Sequence, residues 1–233
     1  MAWGRPAANY LGSWGIKEEQ IYYCAQAVDN AFWVEETKKY EKSELRREFG
    51  IQGRAFLAVG RLLPRKGFDL LLRAWAALPE PIQRSNTLVI VGAGPEDASL
   101  RALSRSLNIR NIHFVGACHS LELAKYYAAA DVFVFPSLVD VWGLVVNESL
   151  ASGVPVLASR HAGASQELIS SSGAGEVFDP LNLEEFSHLL LRWCTNAPEI
   201  SRRRLQDYIS GFDFRVAVDS FQRLVSNFVR RAR

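Results

Sequence analysis

The stretch Asp131–Ala158, DVFVFPSLVDVWGLVVNESLASGVPVLA, constrains the fold more than any other part of the chain. Val132–Phe135 is a short apolar run ended by Pro136, and a loop follows to Trp142. A turn at Gly143 opens a helix through Asn147, Glu148 and Leu150. Ser152-Gly153 stops that helix, Pro155 follows, and Val156–Ala158 is the next buried strand. Strand, loop, helix and strand within 28 residues make one βαβ unit, which requires a parallel sheet. In open α/β sheets ligands sit at the carboxyl ends of the strands, where this loop falls. Asp140 and Glu148, eight positions apart, bracket the helix start. The amides of Gly143, Leu144 and Val145 carry no partner in the helix, and a helix amino terminus favours negative charge. The unit therefore offers amides to phosphate and carboxylates to hydroxyls.

The same alternation runs from Arg54 onward. Apolar runs at Ala55–Val59, Leu88–Val91, Ile112–Val115 and Gly175–Phe178 predict further strands. Amphipathic segments at Phe68–Leu78, Glu96–Leu107 and Leu121–Ala130 predict the helices between them. Leu183–Cys194, Pro198–Ile209 and Phe214–Val229 read as terminal helices. The fold class is α/β, a doubly wound parallel sheet of the Rossmann-like kind with right-handed crossovers. Its domain is expected over residues 51–233. Residues 1–50 are expected as a linker or remnant, with a short strand at Ile21–Cys24 and one charged helix over Glu35–Glu48. Trp75, Phe68, Phe114, Phe133, Phe186 and Trp193 fall on core faces.

The turn after the first strand reads Gly60-Arg61-Leu62-Leu63-Pro64-Arg65-Lys66-Gly67. It sets Arg61 at the strand end and Lys66 at the mouth of the next helix, two cations suited to a diphosphate. Arg65 between them reads as solvated. Gly92-Ala93-Gly94-Pro95 follows the second strand but lacks the GxGxxG spacing and the ribose-binding acid of a dinucleotide fingerprint. It reads as a tight turn at the pocket edge. His119 and His113 read as a helix-start and a strand residue, while His161 lies in a loop at the ligand edge. Trp142 either walls a pocket or anchors its loop.

Net charge is +2, which argues against a strong nucleic-acid field. From Ser201 to Arg233 eight Arg face three Asp, a basic tail that a solvated helix face explains best and that also suits a peripheral contact with acidic lipid. Cys24, Cys118 and Cys194 are far apart and lack metal-ligand spacing with a His, as expected of reduced cytoplasmic thiols. The first ten residues resemble neither a signal nor a transit peptide, and no apolar run has transmembrane length.

On two motifs the chain resembles the retaining glycosyltransferases of family 4, the group 1 glycosyl transferases of GT-B fold. VDVWGLVVNESLASGVPVLAS is similar to their donor-site signature, an acid, seven residues and a Glu around a Gly-Leu-Val turn. Asp140 stands where most members carry Glu. The Gly60, Arg61, Lys66 and Gly67 turn resembles their GR-x4-KG phosphate turn. The resemblance implies the carboxy-terminal, donor-binding half of a GT-B fold, a UDP- or GDP-sugar donor, retention and no metal or other cofactor. Arg61 and Lys66 would hold the diphosphate, Glu148 the ribose, Asp140 the sugar. Gly116, Ala117 and Cys118 would meet the base, and Gly143–Val145 would cap phosphate or sugar, with Trp142 beside them. These enzymes place the acceptor in an amino-terminal domain, expected here as a partner in cis or trans. The alternatives are a nucleotide-sugar-binding module or regulatory subunit without turnover, and a GT-B epimerase. An apolar patch around Trp3, Trp14 and Phe228 would mark the face toward the other half.

Overall fold

The computed structural model describes residues 1–24, 26–170 and 172–231. Six strands form one parallel sheet: β1 (Ala55–Val59), β2 (Thr87–Val91), β3 (Ile112–Gly116), β4 (Val132–Phe135), β5 (Val156–Ser159) and β6 (Gly175–Phe178). Their spatial order is β3-β2-β1-β4-β5-β6, so the chain winds outward one way from β1 and then the other way from β4. Between β1 and β4 lies the switch point, with Phe56 opposite Val132 and Leu57 opposite Phe133.

The period of two along each strand divides the core. Leu57, Val59, Val89, Phe133, Phe135 and Val156 point to one layer. That layer holds α2 (Asn30–Lys38), α7 (Ser120–Ala129), α8 (Leu144–Ala151) and α10 (Arg202–Ile209). Phe56, Ala58, Leu88, Ile90, Val132 and Leu157 point to the other. There they meet α4 (Phe68–Ala76), α6 (Asp97–Ser106) and α9 (Leu183–Thr195). Trp75, Phe133, Phe186 and Trp193 are fully buried, as their placement in the sequence demands. Phe114 is half-buried, with the Arg101 guanidinium over its ring at 4.8 Å.

Several sequence expectations are corrected. Ile21–Cys24 is no strand; Tyr23 makes one isolated bridge to Ala2. Glu35–Glu48 is not one helix, because α2 ends at Lys38 and α3 (Lys42–Glu48) starts afresh after Glu41. The first residues hold a helix, α1 (Gly4–Ser13), and α5 (Glu80–Ser85) precedes β2. The helix expected from Pro198 begins at Arg202. Within residues 1–50, α2 and α3 pack on the sheet domain. Trp33 of α2 is buried in the first core layer, edge-on to Tyr127 at 5.4 Å. Leu45 of α3 packs on Ala128 and Ala129. The last helix, α11 (Phe214–Arg231), runs with Phe221, Val225 and Phe228 exposed.

Candidate functional site

The turn after β1 folds as one 3₁₀ turn, Pro64–Lys66, closed by Gly67 at φ 66°. A Cβ at Gly67 would lie 2.2 Å from the Pro136 carbonyl oxygen, so only glycine lets this turn pass under the loop after β4. The two loops are laced together. Leu138 N donates to Arg65 O at 2.8 Å, and Ser137 Oγ to the same oxygen at 3.2 Å. The Arg65 guanidinium donates to Val139 O at 3.0 Å. Arg65 is exposed, as read from sequence, and it also laces the two loops. The lacing brings Lys66 Nζ onto Asp140 Oδ2 as an ion pair whose two side chains are each 14% exposed. Lys66 also sits 5.4 Å from the Phe135 ring centroid. Arg61 is exposed, and its side chain makes no hydrogen bond or ion pair among the described residues.

Asp140 is held from both sides. Its Oδ1 accepts from Trp142 N at 3.3 Å, and its carbonyl accepts from Gly163 N at 3.2 Å. Trp142 is 1% exposed, with Nε1 donating to Asn147 Oδ1 at 2.8 Å. Asn147 in turn donates to Gln26 O at 3.2 Å. The indole therefore anchors the loop, and the pocket-wall alternative is set aside. Gly143 at φ 101° starts α8, and no described carbonyl accepts from the amides of Gly143, Leu144 or Val145.

One turn into α8, Glu148 is half-buried. Its Oε2 accepts from the Tyr127 hydroxyl at 3.1 Å. Burial pushes its carboxyl up to about 7, against the downward pull of that hydrogen bond. Burial, followed by the Glu148 charge, pushes the Tyr127 phenol well above its usual range, so it is a neutral donor. Tyr127 escaped the sequence reading. Its signal was there: a tyrosine on the apolar stripe of a helix must find a partner for its hydroxyl when buried.

At the end of β3, Gly116 takes φ 91° and its carbonyl accepts from Gly92 N at 2.7 Å. Ala117 is exposed. The Cys118 thiol is pushed up to about 11 by burial and then by Glu122, so it stays protonated and is no nucleophile at neutral pH. The Gly92–Pro95 turn lies directly against the turn after β1, with Leu62 N donating to Ala93 O at 3.0 Å. His119 precedes α7 without capping it by its side chain, and His113 pairs with Val89 within the sheet. His161 is tied to Asp179, Nε2 to Oδ1 at 3.3 Å, and its carbonyl accepts from Asp140 N at 3.4 Å. A cavity of about 460 Å³ opens beside Asp140, lined among others by Val141, His161, Gly163 and Arg5. Among the described residues no cluster of His, Cys, Asp and Glu could hold a metal.

The site residues foreseen in the sequence thus lie at the end of β3, on the loops after β1, β3 and β4, or on α8. Lys66 and Asp140 meet directly, whereas Arg61 and Glu148 bond neither to them nor to each other.

The chain is of the doubly wound α/β class, with its candidate polar groups gathered at the carboxyl edge, around the switch point, where ligands of such sheets bind. Within that class, the chain belongs to the group 1 glycosyl transferases, whose family model matches residues 41–210. It is 30% identical over 148 residues to the lipopolysaccharide glucosyltransferase WaaG of Escherichia coli, a match covering 63% of this chain and 39% of WaaG. Among solved structures it superposes on sucrose-phosphate synthase of Thermosynechococcus elongatus with a TM-score of 0.81 at 23% identity, covering 99% of this chain and 58% of that one. It superposes on Anabaena HepE, solved with UDP and glucose, with a TM-score of 0.77 at 21% identity, covering 98% and 62%. The chain spans less than two thirds of each of these proteins.

Proposed function

We propose that this chain is the donor-binding half of a retaining glycosyltransferase that takes a sugar from a nucleoside-diphosphate sugar. The observation that carries the reading is the meeting of Lys66 and Asp140 across two laced loops at the carboxyl edge of the sheet. It joins a phosphate-binding cation to a sugar-binding acid at one point. HepE was solved with UDP, and WaaG is named a glucosyltransferase, which supports a UDP-sugar.

In this reading Arg61 and Lys66 stabilise the charge that develops on the diphosphate as its bond to the anomeric carbon breaks. The amides of Gly143–Val145 point to the same oxygens. Glu148 accepts the ribose hydroxyls and Asp140 holds the sugar. Backbone groups near Gly116–Cys118 meet the base. No metal is needed, since the two cations and the amides supply the positive field. Calorimetric titration of UDP-, GDP- and ADP-sugars tests this. One of them should bind, Arg61→Ala and Lys66→Ala should weaken it, and a chain that binds none overturns the proposal.

Transfer also requires an acceptor held opposite the anomeric carbon and water kept out. An apolar groove of about 500 Å³, lined by Trp3, Leu144, Phe214, Val218 and Phe221 among others, runs from α8 to α11. Large exposed apolar faces mark interfaces. Together with the partial span of the relatives, the groove supports an amino-terminal domain, in cis or in trans, as its cover. A binding module without turnover is the second reading, separated by whether an added amino-terminal half restores transfer. A cytoplasmic location goes with both. A peripheral contact of α11 with acidic lipid, through residues such as Arg215 and Arg223, is tested by vesicle co-sedimentation. Among the described residues no helix is long and apolar enough to cross a membrane.

A further inference from the structure

The Tyr127 side chain is wholly buried, and its hydroxyl reaches the candidate site through its hydrogen-bond acceptors on α8. It lies 3.1 Å from Glu148 Oε2 and 3.2 Å from the Val145 carbonyl oxygen. Both acceptors belong to the first turns of α8, while the tyrosine belongs to α7. The ring cannot swing away. Trp33 stands edge-on to it at 5.4 Å, and the Phe133 ring lies at 5.9 Å. A phenol has one proton for two acceptors, and a charge-assisted bond to a carboxylate is the stronger. Glu148 Oε1, by contrast, accepts no hydrogen bond from any described residue.

From this geometry we infer that Tyr127 is a positioning residue: its hydroxyl fixes Glu148 through Oε2 so that Oε1 faces the ribose of a bound nucleotide. The inference rests on the reading of Glu148 as the ribose acceptor. It adds that the carboxylate is aimed from behind by a side chain that never touches ligand. A carboxylate left to rotate would lose part of the ribose contact to the entropy of ordering it on binding.

The experiment compares UDP and GDP with their 2′,3′-dideoxy counterparts, by calorimetry, on the full chain. The wild type should bind the tighter ribonucleotide more strongly than its dideoxy form. Tyr127→Phe keeps the ring and its contacts with Trp33 and Phe133. It should weaken the ribonucleotide by about three- to tenfold, the scale of one net hydrogen bond, and leave the dideoxy form unchanged. Para-aminophenylalanine at position 127, which restores a neutral donor, should return the discrimination. Equal weakening of both ligands would mean that Tyr127 serves only packing, and no change in either would mean that it does nothing for the site. Both results overturn the inference. Glu148→Gln separates the two levels. If it erases the ribose discrimination while Tyr127→Phe keeps it, only the tyrosine's role falls. If it leaves the discrimination intact, or if neither nucleotide binds, the ribose reading falls and takes the inference with it.

Discussion

Lys66 and Asp140, 74 residues apart in the chain, pair across the turn after β1 and the loop after β4. Each neutralises the group its partner would offer to a ligand. Asp140→Asn should therefore free Lys66 and leave nucleoside-diphosphate affinity equal or higher, while weakening the sugar nucleotide. Lys66→Ala should weaken both, by about 1.5–3 kcal/mol, the scale of a bond to a charged group. Calorimetry with UDP or GDP and with the matching sugar nucleotide reads both variants. A loss of plain nucleotide affinity in Asp140→Asn would contradict these roles.

Glu148 sets a pH dependence. Its carboxyl is held at about 7 in the folded chain against an ordinary value of 4.5. Between these values the folded state binds more protons than the unfolded one, so this group's contribution to stability falls as pH rises from about 4.5 to about 7. Thermal unfolding of the ligand-free wild type should show that decline relative to Glu148→Gln. Nucleotide affinity should move oppositely, rising with pH through the same window as the acceptor ionises. A flat difference between wild type and variant would remove the buried acid from the account.

Asp131 should act with the opposite sign. Burial pushes its carboxyl up, but Lys42 at 2.8 Å, the Ala55 amide at 2.8 Å and Arg46 outweigh it and hold it below its usual range. Lys42 itself is pulled down, because burial costs its ammonium more than Asp131 returns. The stability that Asp131 contributes is full above its unfolded pKa and disappears as pH falls through the depressed folded value. Asp131→Asn should cost about 1–3 kcal/mol at neutral pH and make the acid limb of the stability profile shallower. Denaturant titrations across that limb provide the check.

The Trp142–Asn147 bond predicts a split between stability and binding. Asn147→Ala leaves the buried indole N–H without its acceptor and should cost about 1–3 kcal/mol. Since Trp142 anchors Asp140's loop, sugar-nucleotide affinity should fall more than nucleotide affinity. Urea unfolding and calorimetry together measure the split, and equal losses would show that the loop does not depend on its anchor.

The open face of α11 should make the isolated chain associate. Phe228 on α11 is 74% exposed, and Trp3, also exposed, lines the apolar groove with Phe221. Phe221→Asp with Phe228→Asp should lower hydrophobic-dye binding and self-association in sedimentation without altering nucleotide affinity. An added amino-terminal half should do the same and bring sugar transfer with it. Robust transfer by the purified monomer would refute the need for a partner.

The strands were legible because each is a run of apolar residues between turn residues, and β1, β4 and β6 fall where those runs lie. The candidate residues were legible because loops at the carboxyl edge carry chemistry in this topology. What the sequence hid were relations across the fold. Nothing local announces that Arg65 laces Val139, or that Tyr127 reaches Glu148. The break between α2 and α3 was missed because a charged stretch gives little period to read. The packing of Trp33 into the core was missed because an aromatic before the first strand looks like linker until α7 is there to meet it.

The central pairing of the sheet has a consequence in time. Phe56 of β1 waits for Val132 of β4, 76 residues further along the chain. At about 5–20 residues per second a ribosome needs roughly 4–15 s to make that interval. During it β2 and β3 are synthesised, while the edge of β1 that β4 will cover carries unpaired amides and carbonyls. The centre of the nascent sheet is thus an open edge, and it stays so until β4 arrives to cover it and brings the loops after β1 and β4 together.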